Sequence, residues 1–461
     1  MEAFDSLSEV SCGANALACL AEESSKLGID VPFVQRKRLS QVKRKIGRVP
    51  LLFRNSQSNN KDYNPRMVSI GPYHHGKDEL QAAEKLKPVI AELFVSNSCK
   101  TINEFYEMVL PMVNDLKSYY VEGSLNEYSN EEFATMMLLD GCLVLAFIEI
   151  VALPFDNLSE MYVDEIKCLG MHARTCFSYD ILYLMENQLP FRVLQLLISL
   201  KYEGDDGMNI MNAFLDLSIY WNPKPGRKIK VNACSILAEQ QPLHLLELRL
   251  ITFNRHGYQV KKQSSKSREK FRFYHVLHYF RSVRELKAKG IYVRRNGSTL
   301  ATSVKFKSYF FFGVLDLPIF YISPNRRIRF SNLIACEFTL RDENMLCQTS
   351  FINFLKSLIN QPEDVKELRS KRILISELYS SDEEVVNLVN SITTYPVENY
   401  DLYDKVKESI QKHYDSKAKT WIAELIHTYF SSPWTFIAFL AAIFVVALSC
   451  TQTYYAIFPR S

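Results

Sequence analysis

Apolar residues along this chain recur mostly at helical spacing, and two runs are apolar on every face. Residues 130–151 read NEEFATMMLLDGCLVLAFIEIV, and residues 178–200 read SYDILYLMENQLPFRVLQLLISL. A helix that is apolar all round belongs in a core. The first run predicts a central helix capped by Asn130, with Glu131 and Glu132 favouring the positive end of its dipole. Asp140 and Glu149 interrupt it and make it a poor membrane span. The second run predicts a buried helix interrupted once. Pro190 cannot donate to the helical ladder, so it frees the carbonyl of Glu186 and crowds it; the helix should kink or restart there. Asp180 and Asn187 are seven residues apart, nearly on one helical face. With Glu186 and Gln188 they form a polar cluster in an apolar run. It should be hydrogen-bonded throughout, because an unmet buried polar group costs about 1–3 kcal/mol.

Amphipathic periods predict further helices over 79–95, 102–121, 208–221, 241–253, 278–289, 329–340, 348–360, 382–392 and 403–429. Asp382 should cap its helix, with Glu383 and Glu384 behind it, and Gly290 should end the helix over 278–289. Residues 46–76 have no helical period; Gly47, Pro50, Pro65, Gly71, Pro72 and Gly76 predict ordered loop with short extended pieces. Residues 255–272 read as a basic, polar loop. Over 291–323 the pattern alternates in part and is rich in β-branched and aromatic residues, which predicts short strands. The fold class is therefore mainly α. A basic amino-terminal segment (1–45) precedes one large multi-helix domain (46–430) with a small β region, and a carboxyl-terminal transmembrane helix (433–457) follows.

That last helix rests on charge as much as on apolarity. From 429 to 458 there is no charged residue, and 436–448 (FIAFLAAIFVVAL) is wholly apolar. Extended to Tyr455 the run is long enough to cross a hydrocarbon layer of about 30 Å. Trp434, Tyr454 and Tyr455 sit where interfacial aromatics belong. The first twenty or so residues lack the basic start and sustained apolar core of a signal peptide. These features predict late, tail-anchored insertion. Lys412, Lys417 and Lys419 precede the span and Arg460 follows it, which places the folded chain in the cytosol. The plasma membrane or the endoplasmic reticulum is the favoured address.

Composition narrows the classes further. The chain of 461 residues is 47% hydrophobic and 12% aromatic, so it can bury a large core and is not globally disordered. A net charge of +4 is small for this length and argues against nucleic acid as a partner. The cluster Arg36, Lys37, Arg38, Lys43, Arg44, Lys45 and Arg48 reads as a solvated helix face; a membrane-surface contact or a nuclear signal are the sharper readings. Ten cysteines include no CxxC pair, a pattern of buried reduced thiols rather than a disulfide framework.

Candidate chemistry is sparse. Gly71, Pro72, Tyr73, His74, His75 and Gly76 stand in the string VSIGPYHHG. Two histidines beside a Gly-Pro turn are candidate metal ligands or an acid–base pair. No cysteine or acid at ligand spacing completes a site, so structural packing is the reading, with no metal and no cofactor assigned. There is no phosphate-cradling loop, nucleophile elbow, HExxH or dinucleotide fingerprint. His275 with His278, His244 with Glu247 and Glu424 with His427 are pairs of a kind common by chance; di-metal bundles require two such pairs and extra glutamates. Three functional readings stand, of which nucleic-acid binding through the cluster from Arg36 to Arg48 is the weakest. The first is a membrane-tethered recognition or scaffold protein with an unknown protein partner and no catalytic residue. The alternative is an unrecognised hydrolase using His74 or His75, which needs a concave pocket where a histidine meets a carboxylate or nucleophile.

The order of distinctive strings adds a resemblance. Arg48-Val49-Pro50, VSIGPYHHG, MMLLDGCLVLAFIE, MENQLPF (with Glu186, Asn187, Gln188 and Pro190), ELKAKGI, GVLDLPIFYI, SNLIACE and YFSSPWTFIAFLAA follow one another from about residue 48 to 455. In this the chain resembles the plant proteins grouped as domain of unknown function 247. The resemblance implies a plant-specific, mostly helical protein associated with a membrane through its last helix, and brings no enzymatic activity with it. Some grass members are implicated as pollen determinants of self-incompatibility, which implies recognition in signalling for those members.

Overall fold

The computed structural model describes residues 44–54, 60–96, 98–121, 125, 127–153, 156–170, 172–219, 233–258, 281–298, 301–340, 345–376, 381–395, 398–416 and 433–458. The chain is mostly helical. After a single helical turn at Leu51–Arg54 come α1 (Gln81–Ser96), α2 (Ile102–Val109), α3 (Val113–Ser118), α4 (Asn130–Ala152) and α5 (Asn157–Lys167). There follow α6 (Ala173–Leu182), α7 (Phe191–Lys201), α8 (Asp206–Ile219), α9 (Ala233–Glu239) and α10 (Leu245–Tyr258). Next are α11 (Val283–Ala288), β1 (Ile291–Arg295), β2 (Lys305–Ser308), β3 (Gly313–Leu317) and β4 (Phe320–Ile322). The chain continues through α12 (Pro324–Thr339), α13 (Cys347–Leu358), α14 (Pro362–Ser370) and β5 (Leu374–Ser376). It ends with α15 (Asp382–Ser391), α16 (Tyr400–Tyr414) and α17 (Pro433–Ile457).

The contacts divide the chain into two compact units. The first comprises Met1–Gln263, Ile322–Asn353 and Asn387–Asn399; the second comprises Ser264–Tyr321, Phe354–Val386 and Tyr400–Ser461. In the first unit α4 is the centre, packed by α1, α2, α5, α7 and α8. Its two acids explain how so apolar a helix stays within a folded core. Asp140 takes the ammonium of Lys87 at 2.6 Å, and Glu149 takes that of Lys201 at 2.5 Å. All four side chains are buried, and buried charge persists only when paired. In the second unit β3 is central, parallel to β1 and antiparallel to β2, with Ile291 opposite Gly313 and Lys305 opposite Asp316. β3 is buried along its whole length; α11 covers β1, and α16 covers β2.

Two helices are long and apolar enough to cross a membrane, and their surroundings separate them. Residues 130–152 (mean hydropathy 2.1) are 83% buried, whereas Trp434–Tyr454 (mean hydropathy 2.2) has no buried residue. α4 is the core helix that its acids predict. α17 remains as the candidate span.

Several local expectations shift, each for a physical reason. The helix over 102–121 is not continuous: a 3₁₀ turn at Leu110–Met112 carries Pro111, and Tyr120 instead bridges Ile46. The helix over 178–200 restarts just after Pro190 as read, but only beyond a non-helical stretch from Tyr183 to Pro190. The caps sit one residue earlier than read. Ser129 closes a capping box with Glu132, and Ser381 accepts from the amide of Glu384 while Glu384 takes the Ser381 amide. α12 begins at Pro324, well before 329, because Ser323 caps it and proline suits a first turn. The helix over 241–253 instead runs Leu245–Tyr258, into the stretch read as loop. The helix over 403–429 ends at Tyr414, and 417–432 lie outside the described residues. α11 starts at Val283, and Gly290 ends it at φ +75° as expected. Three helices, α5, α9 and α14, lie where the pattern predicts none.

The basic cluster is not a helix face where it is described: Arg44 pairs with Glu247, and Arg48 lies 4.9 Å over the Tyr73 ring. Its residues 36–38 and 43 lie outside the described residues, as do His275, His278, Glu424, His427 and most of 255–272. The described cysteines are free thiols, but only Cys142, Cys336 and Cys347 are buried; Cys99, Cys168, Cys234 and Cys450 are exposed.

Candidate functional site

The two most distinctive strings of the sequence, 68–76 and 185–191, meet in the first unit and form one polar core. The chain from Tyr183 to Pro190 has left the helix, so its own amides and carbonyls lose helical partners and its side chains can reach neighbouring main chain. Asn187 is fully buried; its amide nitrogen donates to the carbonyls of Val68 (3.0 Å) and Asp180 (2.9 Å), and its oxygen accepts the Ile70 N–H at 2.7 Å. Gln188 donates to the carbonyls of Ile181 and Leu184 and accepts the Leu246 N–H at 3.1 Å. Asp180 closes the other side, one carboxylate oxygen accepting the amides of Arg66, Met67 and Val68. Asp180 and Asn187 thus meet, but through the Asp180 carbonyl and not as neighbours on one helix face.

Glu186 is the acid of the group. Its Oε1 accepts the Val49 N–H at 2.6 Å and Arg54 Nε at 3.2 Å, and its Oε2 accepts Arg54 Nη2 at 2.7 Å. His74 Nε2 stands 3.4 Å from Oε2. Burial alone would raise the Glu186 carboxyl, but His74, the Arg54 guanidinium and the Val49 amide outweigh it and hold it below the usual range. Burial lowers His74, against the pull of Glu186. The arrangement is a charged Glu186–Arg54 pair with a neutral histidine beside it.

The rest of the glycine–histidine string has separate tasks. Gly71 sits at φ +73°, and a Cβ there would lie 2.9 Å from the Gln188 carbonyl oxygen; its N–H donates to Asp140 at 2.7 Å. Pro72 offers its carbonyl to the Tyr128 hydroxyl at 3.4 Å. The Tyr73 hydroxyl donates to the Ile46 carbonyl at 2.6 Å. His75 is half-buried, with Nδ1 3.6 Å from Glu84 and its ring edge-on to Tyr128. Gly76 turns the chain at φ +78° in open space. Pro190 precedes α7, whose first amide, of Phe191, donates to the Leu243 carbonyl at 2.7 Å.

The sequence shows no acid at ligand spacing that completes a site with the histidines, but the fold brings Glu186 to His74 and Glu84 to His75. The His74 pair does not make a reactive centre, since His74 is 2% exposed and Glu186 is 0% exposed. Both side chains are closed off from solvent, and Glu186 spends its lone pairs on Arg54 and Val49. Among the described residues no group of three or more His, Cys, Asp or Glu side chains has the geometry to hold a metal ion. Of the helix pair His244 and Glu247, both buried, the Glu247 N–H donates to His244 Nδ1 at 3.2 Å and Glu247 pairs with Arg44.

Other polar residues of the same kind went unread. Asn332, in the string SNLIACE, accepts the Met185 N–H at 3.0 Å and donates to the Asp62 carbonyl at 2.8 Å. Glu337, in the same string, accepts the amides of Gln348 and Thr349 at 2.7 and 2.8 Å. Arg249 donates to the Leu182 carbonyl at 2.8 Å and to the Tyr183 hydroxyl at 3.0 Å. In each the signal was available: a charged or amide side chain inside an apolar helical run.

The fold and this core define a class: a mostly helical protein with a sealed polar heart and an exposed apolar helix near its carboxyl end. The chain belongs to the family described as plant protein of unknown function, domain of unknown function 247, whose model matches residues 46–448. It is similar to the UPF0481 protein At3g47200 of Arabidopsis thaliana, 28% identical over 439 residues, covering 87% of this chain and 83% of the relative. It is also similar to another Arabidopsis thaliana UPF0481 protein, 27% identical over 178 residues, covering 38% of this chain and 33% of that one. No solved structure matches the chain.

Proposed function

We propose that this protein is a membrane-attached recognition or scaffold protein that works through a protein partner rather than through catalysis. One observation carries the attachment: Trp434–Tyr454 has a mean hydropathy of 2.2 and buries none of itself against the rest of the protein. An apolar face this large is unstable in water and stable in lipid. The inward use of Glu186, Asn187 and Gln188 and the burial of His74 support the second half of the reading, because the most distinctive polar side chains face the core. Lys412, Lys417 and Lys419 before the span, against Arg460 after it, favour the folded units on the cytosolic side. Recognition in signalling or of the self-incompatibility type fits this arrangement, as does placement in the plasma membrane or the endoplasmic reticulum.

Alkaline carbonate extraction of microsomes tests attachment. The wild-type chain should stay with the membranes, and the double substitution Ala442→Lys and Val446→Asp should release it, at about 2.5–3.5 kcal/mol per charge placed mid-span. Release of the wild-type chain would defeat the proposal. Protease added outside sealed microsomes should digest the folded units, and the sequons at Asn157 and Asn296 should carry no sugar. An endoglycosidase-sensitive mass shift would reverse the orientation. Proximity labelling in plant cells then identifies the partner.

A further inference from the structure

A small cleft opens beside the helix break in the first unit. It is lined by Tyr183, Arg249, Leu250, Phe253, Arg329, Leu333 and Gln348, with about 20 Å³ of accessible space. That is room for a water or for the oxygens of one small group. Its charge is one-sided. Arg249 is 7% exposed and lies 4.4 Å over the Tyr183 ring; Arg329 lies 5.1 Å over the same ring. Arg326, also buried, adds its field to Tyr183. Neither Arg249 nor Arg329 meets a carboxylate among the described residues. The Arg249 partners are the Leu182 carbonyl and the Tyr183 hydroxyl, and its Nε, like that of Arg329, is buried without a hydrogen-bond partner. A buried charge is costly unless it is neutralised by a partner. Two other buried cations of this unit each have an acid: Lys87 has Asp140, and Lys201 has Glu149.

We propose that this cleft binds a small oxyanion, a phosphoryl or carboxylate group presented from its mouth, held by Arg249 and Arg329 and the side-chain amide of Gln348. Guanidinium is the side chain suited to such groups, offering paired donors in a plane. The electrostatics of Tyr183 agree. Burial would raise its phenol, yet the charges of Arg249 and Arg329 and the Arg249 hydrogen bond bring it down to about 8. The field in the cleft therefore favours a negative oxygen over a neutral one.

The test uses the full chain in a non-ionic detergent. Inorganic phosphate, acetate and chloride are titrated at matched ionic strength while thermal unfolding is followed. Saturable stabilisation by phosphate, by acetate or by both, beyond that of chloride, is expected, and the stronger of the two identifies the source of the group. Arg329→Gln, which removes a half-exposed like charge and leaves the packing of Arg249 intact, should bind at least about tenfold more weakly. A second readout needs no variant: a bound anion should move the lowest tyrosine ionisation of the wild-type chain upward, seen in the tyrosinate absorbance, and Tyr183→Phe should abolish that ionisation. Equal effects of all three salts on the wild type, undiminished binding by Arg329→Gln, or a tyrosinate titration unmoved by saturating anion would each overturn the proposal.

A second surface carries its own inference, which rests on the membrane reading above. The β2–β3 hairpin ends in Tyr309, Phe310, Phe311 and Phe312, exposed by 43%, 74%, 53% and 40%. Tyr309 stacks on Phe312 at 5.0 Å, so the tip is ordered, and Lys305 and Lys307 stand exposed on the strand behind it. We infer that this tip seats in the interfacial layer of a bilayer, aromatic rings at headgroup depth and lysines against anionic lipid. A fluorescent NBD amino acid at position 310 of the full chain, reconstituted in nanodiscs, should show blue-shifted emission and quenching by lipid-borne nitroxide. The shift should strengthen with phosphatidylserine. A water-exposed signal at 310 while a label at 442 reports an inserted span would overturn the hairpin proposal alone; a water-exposed signal at both would overturn the membrane reading as well.

Discussion

Asn187→Leu isolates the polar core. The substitution keeps the number and branching of the side-chain heavy atoms, so its effect comes chiefly from hydrogen bonding. Asn187 is 0% exposed and joins three main-chain groups: the carbonyls of Val68 and Asp180 and the amide of Ile70, at 3.0, 2.9 and 2.7 Å. Leucine leaves all three without a partner in a place water does not reach. At about 1.5 kcal/mol for each orphaned group, the sum is about 4.5 kcal/mol. The added apolar burial returns some of this, as burying a leucine side chain is worth about 1.5–3 kcal/mol relative to exposure. The expected net destabilisation is therefore about 1–3 kcal/mol. Urea denaturation of the full chain in detergent measures it, read from the midpoint at constant slope. Hydrogen exchange adds location: peptides spanning 67–71 should lose protection before the rest of the first unit. The control is Asn209→Leu on the exposed face of α8, which should stay within about 0.5 kcal/mol of wild type. An Asn187→Leu midpoint equal to that of the control, with exchange at Ile70 unchanged, would refute the hydrogen-bond reasoning.

The two glycines of the histidine string should separate cleanly. Gly76→Ala, at φ +78° in open space, should cost about 1–2 kcal/mol for the left-handed backbone alone, whereas Gly71→Ala adds a collision with the Gln188 carbonyl and should cost clearly more; equal melting shifts would contradict this. Lys87→Met should lose about 3–5 kcal/mol by leaving Asp140 buried without its cation, and Asp140→Asn added to it should recover part of that loss; a double variant no better than the single one would remove the charge argument. His244 gives a pH dependence. Burial holds it at about 4 against a usual 6.5, and its Nδ1 accepts the Glu247 N–H only when unprotonated. The folded state therefore favours the neutral ring; this stability is present above pH 6.5 and is lost as pH falls toward 4, about 3 kcal/mol in full at 1.36 kcal/mol per unit. His244→Asn should flatten that part of the acid limb in urea midpoints, and parallel curves for the two proteins would count against it.

What the sequence disclosed and what it hid follow from the range of the forces involved. Helix identity was legible where apolar spacing was long and uniform, because a periodic apolar face is a local statement: residues 130–151 are α4 within a residue of each end. Ends were less legible, since a cap is decided by one side chain and its backbone angle. Ser129 wins over Asn130 because its hydroxyl reaches the amide of Glu132 and Glu132 reaches back. The break at 183–190 shows the limit more sharply. Proline licenses a kink at one residue, but eight residues leave the helix here, and the local pattern holds no reason for that. The reason is tertiary: Asn332 takes the Met185 N–H, the Tyr120 hydroxyl donates to the Gln188 carbonyl, and the side chains of Glu186, Asn187 and Gln188 bind the main chain of Val49, Val68, Ile70 and Leu246.

The same cause governs the site. His74 and His75 looked unpartnered because Glu186 and Glu84 are distant or on another helix, and sequence spacing carries no information about pairs that close across a fold. The polarity of the cluster was legible and its direction was not. Asp, Asn and Gln in an apolar run announce buried hydrogen bonds but do not say whether they bind main chain or ligand. Here the count of partners decides. Asn187 and Gln188 use both donor and acceptor sides on main chain, and Glu186 is held by Arg54 and Val49. By the same count Arg249 and Arg329 remain in excess of their acids. Glu186, Asn187 and Gln188 are thus consumed by the architecture, and among the described residues the uncompensated charge lies in LLELRLITF and around Arg329, where the sequence drew no attention. A search for ligand chemistry in this protein is better aimed at the arginines beside Tyr183 than at the paired histidines.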